Sequence, residues 1–470
     1  MNLWNAKDAA AATGGRATRD FAVSGVSIDT RTLKPGDLFV ALSAARDGHD
    51  FVAQALAAGA GAALVSRIPD GVAADAPLLI VDDVLTALAA LGQAARARSN
   101  AKVIGVTGSV GKTSTKEMLR DVLTRQGHTH AAQASYNNHW GVPLTLARMP
   151  RDTEFAVIEM GMNHAGEIEP LSRLAAPHVA LITTVAAAHL EAFENIVAIA
   201  HEKAAIFDGL VPGGVAVVNG DLETLPVLRD HAAALKVPLV TFGEKSGNDV
   251  HLLSVRLTGD ITIAQARIAG DTHLFKLASA GRHFATNAAG VLAVLEALGA
   301  DVTQGARDLV HWQPPAGRGL REVIRLDPVE DADMVLLDDA YNANPTSLVA
   351  ALEVLAAATT GPGGRRIAVL GDMLELGTDS AAIHRGLANC EFFETVDLVH
   401  TSGPLMAHLH AALPARKRGE CVENADDLAL RAHQLIAAGD VVLVKGSKGS
   451  QVSRVVDVIR NLGHAPATHS

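Results

Sequence analysis

The sequence predicts an α/β protein of three domains: a small N-terminal α/β module, a central doubly wound parallel sheet carrying a phosphate loop, and a C-terminal Rossmann-like sheet. Three observations predict it. A chain of 470 residues is too long for one core at about 100 to 200 residues per domain. Continuous apolar runs of strand length alternate with helical patterns, as buried parallel strands joined by helices require. Finally, Gly105-Val106-Thr107-Gly108-Ser109-Val110-Gly111-Lys112-Thr113 follows one such run (Val103, Ile104) and precedes a helical pattern, which reads as strand, phosphate loop, helix.

Residues 1–83 hold short strands separated by turns: Gly25 to Arg31, Asp37 to Leu42 after Pro35-Gly36, Ala62 to Val65 and Leu78 to Val81, with a helix over Asp50 to Gly59 that ends at glycine. Residues 84–316 open with a helix, Val84 to Arg98, that leads into the phosphate loop. The runs Phe155 to Glu159, Val179 to Thr183, Val215 to Asn219 and Pro238 to Thr241 follow, each the length of a buried parallel strand. Apolar and polar residues alternate over 250–280, which predicts an antiparallel appendage, and the helix Thr286 to Leu298 closes the unit. Gln313-Pro314-Pro315-Ala316-Gly317 reads as a linker. Residues 317–470 repeat the pattern with strands at Met334 to Asp338, Ile367 to Leu370, Leu398 to His400 and Val441 to Val444, without a Gly-x-Gly-x-x-Gly fingerprint.

A net charge of −11 and the lack of any dense Lys/Arg run exclude a general field for nucleic acid. Met1 to Gly15 has no charged stretch followed by an apolar core, and no run approaches the roughly 18 apolar residues of a membrane span. The expectation is a cytoplasmic protein with no membrane insertion. Cys390 and Cys421, the two cysteines, form neither a disulfide framework nor a thiolate metal site and fit a reducing compartment.

The phosphate loop offers the first chemistry. Backbone N–H groups from Gly108 to Gly111 can cradle phosphates at a helix N-terminus, Lys112 can reach the β- and γ-phosphates, and the Thr113 hydroxyl can hold Mg²⁺. Val106 stands where the strict Walker pattern has glycine, so the form is Thr107-Gly108-x-x-Gly111-Lys112-Thr113. Glu159 ends an apolar run at the strand edge where open α/β sheets bind ligands. It either completes a Mg²⁺ shell with Thr113, waters and phosphate oxygens or caps a helix. His189 is either a metal ligand or structural, and Lys203, in the helical stretch Asn195 to Phe207, reads by itself as a solvated lysine. Ser27, Asp29, Thr30 and Arg31 at a strand end are ligand contacts or turn residues.

Five segments occur together and in order: Thr107 to Thr113, Tyr136-Asn137-Asn138-His139-Trp140-Gly141-Val142-Pro143, Glu159 to His164, Asp339-Ala340-Tyr341-Asn342-Ala343-Asn344-Pro345, and Gly371-Asp372-Met373-Leu374-Glu375-Leu376-Gly377. On these the chain closely resembles the Mur ligase family of peptidoglycan synthesis across all three domains, and the shortened phosphate loop is itself the family's form. The resemblance implies a monomeric ATP-dependent, Mg²⁺-dependent ligase that joins D-alanyl-D-alanine to UDP-N-acetylmuramoyl-tripeptide through an acyl phosphate. Ser27, Asp29, Thr30 and Arg31 would then hold the UDP end. Thr107, Gly108, Ser109, Val110, Gly111, Lys112, Thr113, Asn287, Arg318 and Asp339 would hold ATP, and Thr113, Glu159 and His189 the metal. Asn137, Asn138, Tyr341, Asn342, Asn344 and Lys445 would face the substrates. Lys203 matches a lysine that several Mur ligases carry as a carbamate, and with Lys112 and His189 it would form the catalytic group. The nucleotide residues fall on both sides of the linker, so the C-terminal domain is expected to close over the central one.

The alternatives lack their own markers. A GTPase switch needs a guanine-reading Asn-Lys-x-Asp segment, which is absent. A ligase adding a diamino acid usually carries Asp-Asn-Pro-Arg, also absent, and a folate-glutamate ligase usually lacks the N-terminal module.

Overall fold

The apolar runs become strands because both of their faces are covered. Lys102–Thr107 lies between Val179–Ile182 and Phe155–Glu159, parallel to both, with Thr107 opposite Ile182 and Val106 opposite Glu159. Ile104, Val106 and Val157 face one core, shared with helices Lys112–Thr124 and Arg282–Leu298. Val103, Ala156 and Ile158 face the other, shared with helices Ile168–Ala175 and Ile196–Ala204. Two-sided burial leaves no solvated face to select polar residues, and each fully buried valine or leucine contributes about 1.5–3 kcal/mol.

The computed structural model describes residues 2–43, 45–188, 190–327 and 332–463. Among these the central sheet runs, edge to edge, Asp271–Leu277, Ile261–Ile268, Val250–Thr258, Leu239–Gly243, Val215–Asn219, Val179–Ile182, Lys102–Thr107, Phe155–Glu159 and Thr129–Ala131. The expected appendage over 250–280 is part of this sheet. Val250–Thr258 pairs parallel to Leu239–Gly243, and only the following two strands pair antiparallel. Alternation there reflects one solvated face, not a separate unit.

The N-terminal sheet has the order Arg16–Ala17, Leu78–Ile80, Ala62–Val65, Asp37–Val40, Gly25–Ser27, parallel except at its first pair. Helix Val84–Ala97 joins the central sheet to it: Leu88 and Leu91 share a core with Leu38, Leu64 and Leu79. Its other side approaches helix Gly141–Ala147 so closely at Gly92 that a Cβ would lie 3.0 Å from the Pro143 carbonyl oxygen. The Trp4 indole N–H also donates to the Ala147 carbonyl at 2.9 Å.

The C-terminal sheet has the order Leu320–Asp327, Ala332–Asp339, Val441–Lys445, Arg366–Gly371, Leu398–Ser402, Arg418–Val422, with only the first pair antiparallel. The outer strands, Leu320–Asp327 and Arg418–Val422, had no clear apolar run, because edge strands stay half-solvated. Central and C-terminal sheets both turn strand ends toward one cleft: Thr107 and Glu159 from the first, Asp339 and Lys445, which pair in register, from the second.

Helix Ile168–Ala175, downstream of Glu159, is held backbone to backbone against the turn Ala205–Gly209. Ser172 Oγ donates to the Ile206 carbonyl at 2.5 Å, and a Cβ on Gly209 would lie 2.2 Å from the Ser172 carbonyl carbon. Because backbone cannot yield as a side chain can, Gly209→Ala is expected to cost about 2 kcal/mol and to lower the thermal midpoint by roughly 4–8 °C. Circular dichroism melting checks this; an unchanged midpoint would mean that the contact relaxes freely.

Candidate active site

The phosphate loop is fixed from below before any ligand arrives. Ser109 N–H donates to the Thr184 carbonyl at 2.8 Å, Ser109 Oγ to the Ala186 carbonyl at 3.1 Å, and Thr183 Oγ1 to the Val110 carbonyl at 2.6 Å. Gly108 has φ +152°, and a Cβ there would lie 2.0 Å from Thr183 Oγ1, so only glycine fits. Gly111, at φ +86°, starts helix Lys112–Thr124, and the Asn287 amide of helix Arg282–Leu298 lies against it. The Lys112 ammonium donates to the Gly108 carbonyl at 2.6 Å. Burial lowers its pKa, with the Glu159 carboxylate opposing. Thr107 sits beneath the loop, fully buried.

Glu159, 1% exposed, gathers the polar groups beside this loop. Thr113 Oγ1 donates to its carboxylate at 3.0 and 3.1 Å, and Asn137 Nδ2 donates to it at 2.8 Å. Asn137 is itself fixed, its carbonyl accepting from Gly161 N–H at 2.7 Å. Asn138 lines the cleft, but its Oδ1 accepts from Gly141 N–H at 2.9 Å and so serves the start of helix Gly141–Ala147.

The C-terminal half supplies the opposite wall of a cleft of about 590 Å³. Gly317 and Gly319, at φ +75° and +92°, let the linker fold back so that Arg318 points into the cleft. Its guanidinium lies 4.1 Å from the centre of the Tyr341 ring, a favourable cation–π distance. Lys445, 2% exposed, donates to Asp339 Oδ2 at 2.6 Å and to the Asn342 carbonyl at 3.1 Å. Burial pushes the Asp339 carboxyl up and the Lys445 ammonium opposes it. Asn344 is the N-cap of helix Pro345–Ala357, its Oδ1 accepting from Ser347 N–H at 2.9 Å.

Lys112, Thr113, Glu159, Asn287, Arg318 and Asp339 therefore face one cleft. Lys203 lies behind it on Ile196–Ala204, 2% exposed. Burial, and next the Lys112 ammonium, lower its pKa well below the ordinary value, so the solvated-lysine reading does not hold. His189 lies outside the described residues. Ser27, Asp29, Thr30 and Arg31 sit apart from the cleft at the end of Gly25–Ser27, where Asp29 and Arg31 pair at 2.6 Å. Sequence reasoning missed Ser135, Asn219, His283 and Lys448, which also line the cleft. Ser135 directly precedes the Tyr136 to Pro143 segment and was signalled only by that proximity. Burial holds the His283 imidazole at a pKa of about 4, hence neutral.

No group of three or more His, Cys, Asp and Glu side chains among the described residues forms a metal cage. The Thr113 hydroxyl beside the buried Glu159 carboxylate is an all-oxygen pair of the kind Mg²⁺ uses when phosphates and waters complete its shell. The donor set fits.

The chain matches the models for the Mur ligase family catalytic domain over residues 22–96, the Mur ligase middle domain over 106–295, and the Mur ligase glutamate ligase domain over 324–448. It is 36% identical over 452 residues to the UDP-N-acetylmuramoyl-tripeptide–D-alanyl-D-alanine ligase of Escherichia coli (strain K12), covering 94% of this chain and 95% of that one. Among solved structures it is similar to MurF from Acinetobacter baumannii, with TM-score 0.83 and 30% identity over 97% of this chain and 98% of that one. It is also similar to the MurF ligase from Thermotoga maritima in complex with ADP, with TM-score 0.76 and 27% identity over 94% and 98%. Full-length similarity of this kind, on a fold whose phosphate loop faces a second α/β domain, means that the chain belongs to the Mur ligase family.

Proposed function

We propose that this enzyme joins D-alanyl-D-alanine to UDP-N-acetylmuramoyl-tripeptide at the expense of ATP, yielding the pentapeptide nucleotide, ADP and phosphate. The observation that carries the reading is the single cleft in which Lys112, Thr113 and Glu159 of the central domain face Arg318 and Asp339 of the C-terminal one. Relatives named for this reaction and a similar ligase solved with ADP support it.

In this reading residues 1–83 bind the UDP end of the acceptor through Ser27, Asp29, Thr30 and Arg31, residues 84–316 bind ATP, and residues 317–470 bring the dipeptide. An acceptor carboxylate oxygen attacks the γ-phosphorus, the bond to the ADP oxygen breaks, and an acyl phosphate results. The dipeptide amine then attacks the acyl carbon, the carbon–oxygen bond to phosphate breaks, and the proton given up by the amine passes to the departing phosphate. The nucleophiles are the substrates' own, so the protein contributes position and charge. Backbone N–H groups from Gly108 to Gly111 and the Lys112 ammonium stabilise charge on the phosphoryl oxygens. Thr113 and Glu159 would hold one Mg²⁺ and His189 would stand by a second, and the ions would supply positive charge to neutralise the same oxygens. Asn287, Arg318 and Asp339 orient the nucleotide. Asn137, Asn138, Tyr341, Asn342, Asn344 and Lys445 form the substrate walls. The enzyme acts as a cytoplasmic monomer in this reading; among the described residues no helix is long and apolar enough to cross a membrane.

Phosphate release is expected to require ATP, UDP-N-acetylmuramoyl-tripeptide and D-alanyl-D-alanine together, and hydrolysis indifferent to both acceptors would overturn the reading. Lys112→Ala should lower kcat by about 10²–10³-fold with an unchanged thermal midpoint, because this lysine carries charge and no core packing. Turnover near that of the wild type would remove the loop from the mechanism.

Lys203 is read as a carbamate in the working enzyme. Desolvation favours its neutral amine, the form that adds to carbon dioxide with loss of a proton to solvent, and the product sets an anion near the Lys112 ammonium, suited to holding a cation. Lys203→Ala should then lose most activity, and added formate, a small carboxylate, should restore part of it. A fully active variant would refute this role.

A further inference from the structure

Ser135 stands on the loop between Thr129–Ala131 and Gly141–Ala147, half-buried at the cleft wall. Its Oγ lies 3.2 Å from Thr113 Oγ1 and 3.0 Å from Arg318 Nη2. The directions of these bonds are fixed by chemistry. A guanidinium only donates, so Ser135 accepts from Arg318. Thr113 has one hydroxyl proton, directed to the Glu159 carboxylate at 3.0 and 3.1 Å. The Thr113 oxygen can therefore only accept from Ser135, and the Ser135 proton goes to it. The result is one directed chain: Arg318 to Ser135 to Thr113 to Glu159. A cation stands at its donor end and a carboxylate at its acceptor end, the arrangement in which successive hydrogen bonds polarise one another.

The chain crosses from one domain to the other. Arg318 follows the linker and is held over the Tyr341 ring at 4.1 Å, whereas Ser135, Thr113 and Glu159 belong to the central domain. We propose that Ser135 is a positioning residue that makes the orientation of the Thr113 hydroxyl depend on the docking of Arg318. With Ser135 donating to one lone pair and Glu159 holding the proton, Thr113 Oγ1 keeps its other lone pair for a cation at the phosphates. Without Ser135 that hydroxyl loses one of its two restraints, and Arg318 loses its contact with the phosphate-loop side.

This inference rests on the ligase reading, and two measurements separate their failures. The first is ADP affinity by calorimetry with and without Mg²⁺. Ser135→Ala should leave the affinity for ADP alone unchanged and reduce the strengthening by Mg²⁺ about tenfold, the worth of one charge-assisted hydrogen bond. Ser135→Thr, which keeps the hydroxyl, should restore most of it. The second is a double-mutant cycle in phosphate release: Ser135→Ala should lower kcat about tenfold with little change in the ATP KM, yet have almost no effect in an Arg318→Ala background. A Mg²⁺ increment within twofold of wild type, or losses that add independently of Arg318, would overturn the relay. Wild-type enzyme that releases no phosphate with both substrates would overturn the ligase reading instead, while calorimetry would still test Ser135.

Discussion

A carboxylate buried at the end of a parallel strand organises the whole site. Glu159 is 1% exposed, and a buried charge without partners costs several kcal/mol. Its partners come from elsewhere in the chain: the Thr113 hydroxyl at the first turn after the phosphate loop, and the Asn137 amide from the loop that follows Thr129–Ala131. Neither partner has room to shift. A Cβ on Gly161 would lie 2.8 Å from the Asn137 side chain, and Gly108 leaves no room beneath the phosphate loop. One carboxylate thereby fixes where the first turn after the loop is held and how the neighbouring loop is presented.

The second constraint is division of the cleft between two sheets. Acyl phosphates hydrolyse in water, so a site whose walls belong to separate domains excludes solvent only when those walls meet. Contacts between the halves extend beyond Arg318 and Ser135. Arg282, at the start of a central-domain helix, pairs with Glu244 at 2.6 Å and reaches Glu353 of the C-terminal helix Pro345–Ala357 at 3.5 Å, and Arg321 pairs with Asp260 at 2.9 Å. These pairs are largely solvated and individually weak.

Much of the architecture was legible because its signals are local. Apolar runs such as Phe155 to Glu159 announce strands buried on both faces, and a glycine-rich turn between such a run and a helix announces a phosphate loop. The edge strands of the C-terminal sheet were not legible: Arg418–Val422 carries arginine, glycine and glutamate, since solvent on one side removes the pressure for apolar residues. Nor did alternation over 250–280 reveal that its first strand pairs parallel, because pairing partners are chosen in space. Helix Val84–Ala97 shows the same limit. Its apolar stripe was visible, but which sheet it covers was not.

The sequence by itself determined the class of fold, the position of the phosphate loop and the family, all carried by contiguous residues whose spacing has a local physical meaning. Only the tertiary structure decided that Lys203 is buried, that Asn138 accepts from the first N–H of a helix, that Asn344 caps another, and that Lys445 is tied to Asp339. The physical reason is that burial and pairing belong to surroundings assembled from distant segments. Lysine has one composition whether solvated or enclosed, and only packing withdraws the water that keeps it charged.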